Sequence, residues 1–326
     1  MDGRPVLVCT EREDATADLV IAELNRRRVP VVRFDPGRDF PAPAVLAAHI
    51  GEEGWEGRLT VGERTADLSA VRALYHRRPS PCRTDGGAQA ARFAAQENRR
   101  GLGGVLAALP GCLYLSHPQA IARAEYKPAQ LDAATRAGLT VPATLITNDP
   151  GDAAQFCAEQ SAIYKPLHAG AYDVEGEPAG IWAAQVEAGE IDGAVSRSAH
   201  LFQARVPKVA DVRAVVVGER VFSARITAPP GVVDWRSEYR NLAYEPVACP
   251  DGTRGVLARF LTEFGLNFGA FDFAVTGDGA WWFLECNPNG QWAWLEDAAG
   301  LPVTAAIADL LENGAGRHDR PSDPED

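Results

Sequence analysis

The chain has 326 residues, 44 acidic and 32 basic, for a formal net charge of −12. Its 46% apolar and 23% charged residues are the composition of a folded globular protein, and the length accommodates roughly two or three domains. So acidic a balance excludes the broad basic patches that neutralise nucleic-acid phosphates, while leaving room for an anion in a locally basic cleft.

The first apolar run, Val6 to Cys9, is too short for a signal-peptide core or a membrane span. The expectation is therefore a cytoplasmic protein with no membrane or nucleic-acid partner. The six cysteines, Cys9, Cys82, Cys112, Cys157, Cys249 and Cys286, form no CxxC pair. Cys9, Cys112 and Cys286 lie in apolar strand-like runs and read as small core residues of a reducing compartment. The scattered histidines indicate no zinc site.

The opening reads as a β–α–β unit. Pro5 to Cys9 is a buried strand, a helix starts at Asp14 with Leu19, Val20 and Leu24 on one face, and Val29 to Phe34 is a second strand ending at the turn Asp35-Pro36-Gly37. That order argues for a right-handed parallel crossover. No GxGxxG follows the first strand, so the dinucleotide fingerprint is absent. Val71 to Tyr75 is a further strand running into the basic turn His76-Arg77-Arg78-Pro79, a long helix is predicted over Gln89 to Leu106, and Ser116-His117-Pro118 marks a boundary.

A helix is predicted from Lys127 to Arg136, with Pro128 in its first turn and Gly138 as its cap. Ala162 to Lys165 is a strand that leads into His168-Ala169-Gly170-Ala171. Leu201 to Val206 and Arg213 to Val217 are strands, and Gly218-Glu219 turns the chain back along Val221 to Ile226. The last ten residues, Arg317 to Asp326, have no apolar anchor and read as disordered.

The most informative stretch runs from Phe268 to Glu296. Ala270 to Val275 and Trp281 to Cys286 flank the turn Thr276-Gly277-Asp278-Gly279 and should pair as a hairpin. The loop length puts Asp272 opposite Glu285, and period-two alternation puts Asn287 on their face. The other face is expected to collect Phe271, Phe273, Trp282 and Leu284 as core. Two carboxylates beside an amide oxygen form an all-oxygen set suited to Mg²⁺; exposed acids on a half-solvated hairpin are the alternative. Asn287-Pro288-Asn289-Gly290, ending the strand at once, favours the metal site. Lys127 at a helix start, and Lys165 at a strand end before a glycine loop, add the parts needed to hold a triphosphate.

In this order, Lys127, Lys165 with its glycine loop, a strand near Gln203, Asp211-Val212-Arg213, Asp272 and Glu285-Cys286-Asn287 resemble the ATP-grasp superfamily over about residues 115–315. Asp234-Trp235-Arg236 and Asn289-Gly290-Gln291-Trp292 resemble, more narrowly, the maturases of graspetides, ribosomally made peptides of the microviridin type. The fold implied is α/β (α+β): an N-terminal Rossmann-like pre-ATP-grasp domain (1–117), a central lid and leader-binding domain (118–202), a C-terminal ATP-grasp domain with the Mg²⁺ and ATP site (203–316), and a tail (317–326).

The resemblance implies roles for these residues. Lys127, Lys165 and the Gly170 loop would contact ATP phosphates, and Gln203 would lie along the adenine and ribose edge, where many ATP-grasp enzymes carry an acid. Asp272, Glu285 and Asn287 would hold Mg²⁺, with Arg213 facing the transferred phosphoryl group. The substrate would be a precursor peptide with a leader and an acidic core containing Thr, Ser or Lys, joined carboxylate to hydroxyl or amine. Seven cations lie between Arg205 and Arg240, and Arg236 and Arg240 are expected to receive the core carboxylates. Asp234 or Glu296 would act as base. Trp292 and Trp294 would wall the peptide channel or pack in the core. A homodimer is compatible with the resemblance. Two further readings are a RimK-like ligase extending a protein or peptide terminus and a non-catalytic peptide-binding derivative.

Overall fold

The computed structural model describes residues 3–52, 54–82, 88–168, 172–175 and 177–314. Gly170 and the tail 317–326 lie outside them. Helix and strand are mixed throughout, and no helix among the described residues is long and apolar enough to cross a membrane.

Val6–Cys9 (β1) is buried along its whole length because parallel strands flank it on both sides. Its neighbours are Val31–Phe34 (β2) and Ala73–His76 (β6), with Leu113–Tyr114 (β7) beyond β6. A central parallel strand covered on both faces has no polar alternation, hence the apolar run. Ala15–Arg26 (α1) crosses from β1 to β2, and the Asp14 side chain caps it by accepting from the N–H groups of Thr16 and Ala17. The short helix Pro36–Asp39 (α2) follows β2. Val45–Gly51 (β3), Gly54–Val61 (β4) and Arg64–Asp67 (β5) then form an antiparallel sheet, which the alanine-rich strand Val45-Leu46-Ala47-Ala48 hides from a pattern reading. Ala88–Leu106 (α3) precedes β7.

Pro118–Ala124 (α4) and Lys127–Ala137 (α5) come next, and Gly138 ends α5 with φ 97°, a conformation that favours glycine. Thr144–Thr147 (β8), Pro150–Glu159 (α6), Ala162–Lys165 (β9), Tyr172–Val174 (β10), Glu177–Ala179 (β11), Ala184–Val186 (β12) and His200–Ala204 (β13) make the middle of the chain. Within it β12, β9, β13 and β8 form one antiparallel sheet, while β10 and β11 pair as a separate hairpin.

Lys208–Val217 (β14), Arg220–Thr227 (β15), Ala243–Pro246 (β16), Phe268–Thr276 (β17) and Trp281–Asn287 (β18) form the largest sheet, in the order β16-β15-β14-β17-β18. On one face it packs Val212, Phe271, Phe273 and Phe283 against α4, α5 and Asp251–Phe264 (α7). On the other, Val215, Val217 and Ala270 meet Ala293–Ala299 (α8) and Val303–Asn313 (α9), and that core continues into α1 and β1.

Two expectations about this hairpin's packing are corrected. Asp272 pairs with Glu285 but Phe273 pairs with Phe283, so Leu284 is the extra residue of a β-bulge. Phe283 therefore takes the core place expected of Leu284, and Trp282 is only half-buried. The bulge turns Leu284 toward the same side as Glu285, where it lines a cleft. Trp292 has no exposed surface and sits among Val6, Tyr75 and Ile307; it is core and walls no channel. Trp292→Ala is expected to cost about 3–5 kcal/mol, seen as a lower denaturant midpoint at unchanged slope; an unmoved midpoint contradicts this packing.

Candidate active site

Three adjacent strands set the centre. Arg213 on β14 lies opposite Asp272 on β17, and Asp272 lies opposite Glu285 on β18. Directly opposed residues share a face, so the register alone lines up one guanidinium and two carboxylates. Arg213 Nη1 donates to both oxygens of Asp272, at 2.7 and 2.6 Å, and its Nη2 donates to the Gln291 carbonyl at 3.2 Å. Asn287 Nδ2 donates to Asp272 at 3.2 Å and reaches Glu285 at 3.5 Å. Gly290 closes the turn after Asn287, its N–H donating to the Asn287 carbonyl at 3.1 Å. A Cβ at Gly290 would come within 2.7 Å of the Ala270 side chain, so only glycine fits there.

Glu285 is the hub. Lys127, at the first position of α5, stands 3.2 Å from one of its oxygens and Arg236 3.2 Å from the other. Burial pushes the Glu285 carboxyl up, but Lys127, Lys165 and Arg236 overcome it and hold the group well below the usual carboxylate range. Asp272 goes the other way: burial lifts it, Arg213 opposes, and the charge of Glu285 adds to the rise. Lys165, buried at the end of β9, donates to the Gln203 side-chain oxygen at 3.3 Å, and Gln203 in turn donates to Thr144 at 2.9 Å. The Gln203 amide is thus engaged in holding Lys165. Burial lowers the Lys165 ammonium.

Arg236 is gripped by Asp234, which accepts from its Nε and Nη2 at 2.9 Å each. Burial raises Asp234, but this fork outweighs it and holds the carboxyl down. A carboxylate so held is a weak base, and both of its oxygens are taken up by Arg236. The indole of Trp182 lies over the guanidinium, 5.9 Å from ring centroid to carbon. Glu296 instead accepts from the N–H of Thr304 at 2.9 Å, in the first turn of α9. Among the other expected cations, Arg220 pairs with Asp309 and Arg225 with Glu245, away from the centre, and Arg205 donates to Gln185. Arg240 is exposed at the end of the short helix Trp235–Asn241, and among the described residues nothing ties it to the two carboxylates.

A cleft of about 830 Å³ opens between the middle sheet and the large one, lined by Ile163, Gln203, Arg205, Lys208, Asp211 and Leu284. That is within the usual range of small-molecule sites. A smaller pocket of about 40 Å³ adjoins it at Lys165, Arg236, Asp272 and Glu285. Lys208 donates to both oxygens of Asp211, at 2.8 and 2.6 Å, yet burial still pushes the Asp211 carboxyl up to about 6. An acid raised by folding contributes stability below its unfolded value that is lost as pH rises through the folded one. Asp211→Asn should therefore gain on the wild type by about 2–3 kcal/mol between pH 4 and pH 7, measured by denaturant unfolding at both; a pH-independent difference contradicts it.

The oxygens of Asp272 and Glu285 fit a hard divalent cation such as Mg²⁺, and Asn287 would join them by turning its amide oxygen, in place of Nδ2, toward the two carboxylates. Among the described residues, no group of three or more His, Cys, Asp or Glu side chains is placed to hold a metal, so the amide is needed as the third donor. The cations exceed the acids: Lys127, Lys165, Arg213 and Arg236 face Asp272, Glu285 and Asp234. Lys165 is buried, and its one hydrogen-bond acceptor among the described residues is uncharged. A buried cation in that position calls for an anion, and a nucleotide triphosphate fits the charge and the room.

The family model of the MvdD pre-ATP grasp domain matches residues 5–122. Among solved structures, the macrocyclase MdnC of Microcystis aeruginosa MRC, bound with precursor peptide MdnA, is 28% identical, with 95% of this chain and 99% of that one covered and a TM-score of 0.82. The macrocyclase MdnB of the same organism is 27% identical over 95% and 100% of the two chains, with a TM-score of 0.76. A RiPP-associated ATP-grasp ligase of Chryseobacterium gregarium, in complex with ADP and a leader and core peptide, shares the fold at 22% identity, 95% and 97% coverage and a TM-score of 0.86. No curated protein matches the chain.

Proposed function

We propose that this chain, an ATP-grasp ligase of the ribosomal-peptide macrocyclase type, closes rings in an acidic precursor peptide by joining its side-chain carboxylates to its own hydroxyl or amine groups. The observation that carries this is the row Arg213, Asp272, Glu285, ringed by Lys127, Lys165 and Arg236 at the mouth of the cleft. It is an anion site built around two carboxylates, beside a second fork-shaped cation.

Joining a carboxylate to an alcohol in water is uphill, so the acid must first be activated. Mg²⁺, when bound by Asp272, Glu285 and Asn287, neutralises charge on the triphosphate. Lys127 and Lys165 hold the phosphates, and the cleft beside Gln203 takes the base and ribose. Arg236 receives the peptide carboxylate, with Arg240 nearer the entrance. A carboxylate oxygen forms a bond to the γ-phosphorus as the bond to ADP breaks, and Arg213 faces the charge that develops. The Ser or Thr oxygen, or Lys nitrogen, of the same peptide then bonds to the acyl carbon as the carbon–phosphate oxygen bond breaks, and its proton leaves with the departing phosphate. Each ring removes one water overall and releases ADP. Ring closure within one bound chain needs only that both groups be held close. At a net charge of −12, long-range attraction does not recruit an acidic peptide, but screening confines that opposition to about 8 Å, inside which these arginines act.

The same reading divides the chain into units 1–117, 118–202 and 203–316, assigns leader recognition to the middle one and a cytoplasmic location to the protein, and is compatible with a homodimer. Its test is the intact mass of an acidic, Thr/Ser-rich precursor encoded beside this protein, incubated with enzyme, ATP and Mg²⁺. Successive losses of one water establish the cyclase. A mass increase points to a terminus-extending ligase instead, and an unchanged mass without ADP release points to a binding derivative.

A further inference from the structure

Arg77 has no part in the mechanism above, yet it is among the most deeply buried charges in the protein, its side chain 1% exposed. It follows β6, in the parallel sheet of the N-terminal region, and its backbone N–H donates to the Cys9 carbonyl at 2.9 Å. Its guanidinium points away from that sheet into the turn after Asn287. Nη1 donates to the Asn289 carbonyl at 2.6 Å and reaches the Gly290 carbonyl at 3.4 Å, while Nη2 donates to the Gln291 side-chain oxygen at 2.6 Å. Asn289 Nδ2 donates back to the Arg77 carbonyl. Among the described residues the carboxylate paired with it is Asp14, whose oxygen lies 3.4 Å from Nε as an ion pair without hydrogen-bond geometry.

A buried guanidinium persists only where its donors are matched, and here they are matched almost wholly by three consecutive residues of one turn. Gln291 receives a second bond, from the Thr16 hydroxyl at 2.6 Å, so its side chain is fixed from two sides. The carbonyl of that same residue accepts from Arg213 Nη2 at 3.2 Å, and Arg213 holds Asp272. One unbroken run of contacts thus leads from Asp14 and Arg77 through Gln291 to the guanidinium facing the transferred phosphoryl group.

We propose that Arg77 is a positioning residue for the phosphoryl-transfer centre: by fixing the turn 289–291 from the N-terminal region, it sets the direction of Arg213 and hence of the Arg213–Asp272 pair. The inference rests on the function proposed above. It would give the N-terminal region a part in the chemistry although none of its described residues is among those lining the cleft. A lysine cannot replace Arg77, because a point charge does not reach the two backbone carbonyls of Asn289 and Gly290 and the Gln291 side-chain amide together.

The test compares wild type, Arg77→Lys, Gln291→Ala and the double variant in ring formation by intact mass, with kcat and the KM for ATP determined separately and the thermal midpoint recorded for each. Lys127, Lys165, Gln203 and Lys208 are untouched, so the KM for ATP should stay within about twofold. Turnover should fall about 10- to 100-fold in each single variant, a range set by what misplacement at a reacting centre costs, and the double variant should be no slower than the singles because both break one chain of contacts. Equal turnover in wild type and Arg77→Lys overturns the proposal. So does a loss that merely tracks the unfolded fraction, which makes Arg77 a structural pin. If Arg77→Lys does not fold, Thr16→Val removes one bond from the Gln291 side chain and should still lower kcat several-fold at constant KM; unchanged kcat in that folded variant overturns the proposal as well. Absence of rings with wild-type enzyme is a failure of the functional reading and is distinguished by that control.

Discussion

Glu285→Gln is expected to form no rings: precursor that wild-type enzyme converts fully should keep its linear mass, a loss of at least about 10³ in rate, because charge stabilisation from a preorganised site is removed at its centre. The substitution is close to isosteric, so the bulge at Leu284 and the pairing with Asp272 can persist. What changes is charge. Lys127 and Arg236 lose the carboxylate that each approaches at 3.2 Å, and one of the oxygens fit for Mg²⁺ becomes an N–H₂ donor. Lys127, Lys165 and Arg236 hold the carboxyl of this acid well below the usual carboxylate range against burial, so the surrounding charges favour its ionised form. Retention of a tenth or more of wild-type turnover by a folded Glu285→Gln protein would place the phosphoryl-transfer centre elsewhere.

The core of this centre could be read from the sequence because it is local. Asp272 and Glu285 are joined by a short turn, and period-two alternation carries Asn287 to the same face. Lys127 and Lys165 sit at element ends marked by Pro128 and by the strand pattern of Ala162 to Lys165. What could not be read is whatever depends on register between distant segments. The Arg213–Asp272 pair spans 59 positions and Arg236–Glu285 spans 49, and no periodicity within either segment states how their strands align. The bulge is hidden for a related reason: alternation predicts core at Leu284, and only the partner strand decides which of two neighbouring apolar residues is the extra one. Trp292 reads equally as channel wall or core, because an indole after an Asn-Gly turn is ambiguous until the packing of α9 and β1 around it is known. Arg77 is a more distant case, 212 positions from its acceptor at Asn289. Its one sequence signal is a basic turn directly after a buried parallel strand, the end at which open α/β sheets place functional groups.

Arg236→Ala is expected to stop ring formation while leaving nucleotide binding within a few-fold of wild type. The guanidinium is divided in its duties: Nε and Nη2 are committed to Asp234, and Nη1 approaches Glu285 at 3.2 Å. With 32% of its side chain exposed and the half-exposed Trp182 over it, it is the cation at the centre that an incoming carboxylate can meet from the open side. Truncating one member of a buried charged pair costs about 2–5 kcal/mol, or about 30- to 5,000-fold in rate. Part of that loss belongs to Asp234, which burial would then raise with no fork to hold it down. Asp234→Asn with Arg236 intact separates the two: it should keep the cation but release its aim, giving a smaller loss than Arg236→Ala. Arg236→Lys should recover little, since an ammonium has no planar fork to meet both Asp234 oxygens from two nitrogens while a third nitrogen points at Glu285. Rings counted by intact mass, with ADP binding measured calorimetrically on the same protein, decide the matter. Wild-type ring yield removes Arg236 from the substrate site, and loss of rings together with loss of ADP binding makes it a nucleotide residue.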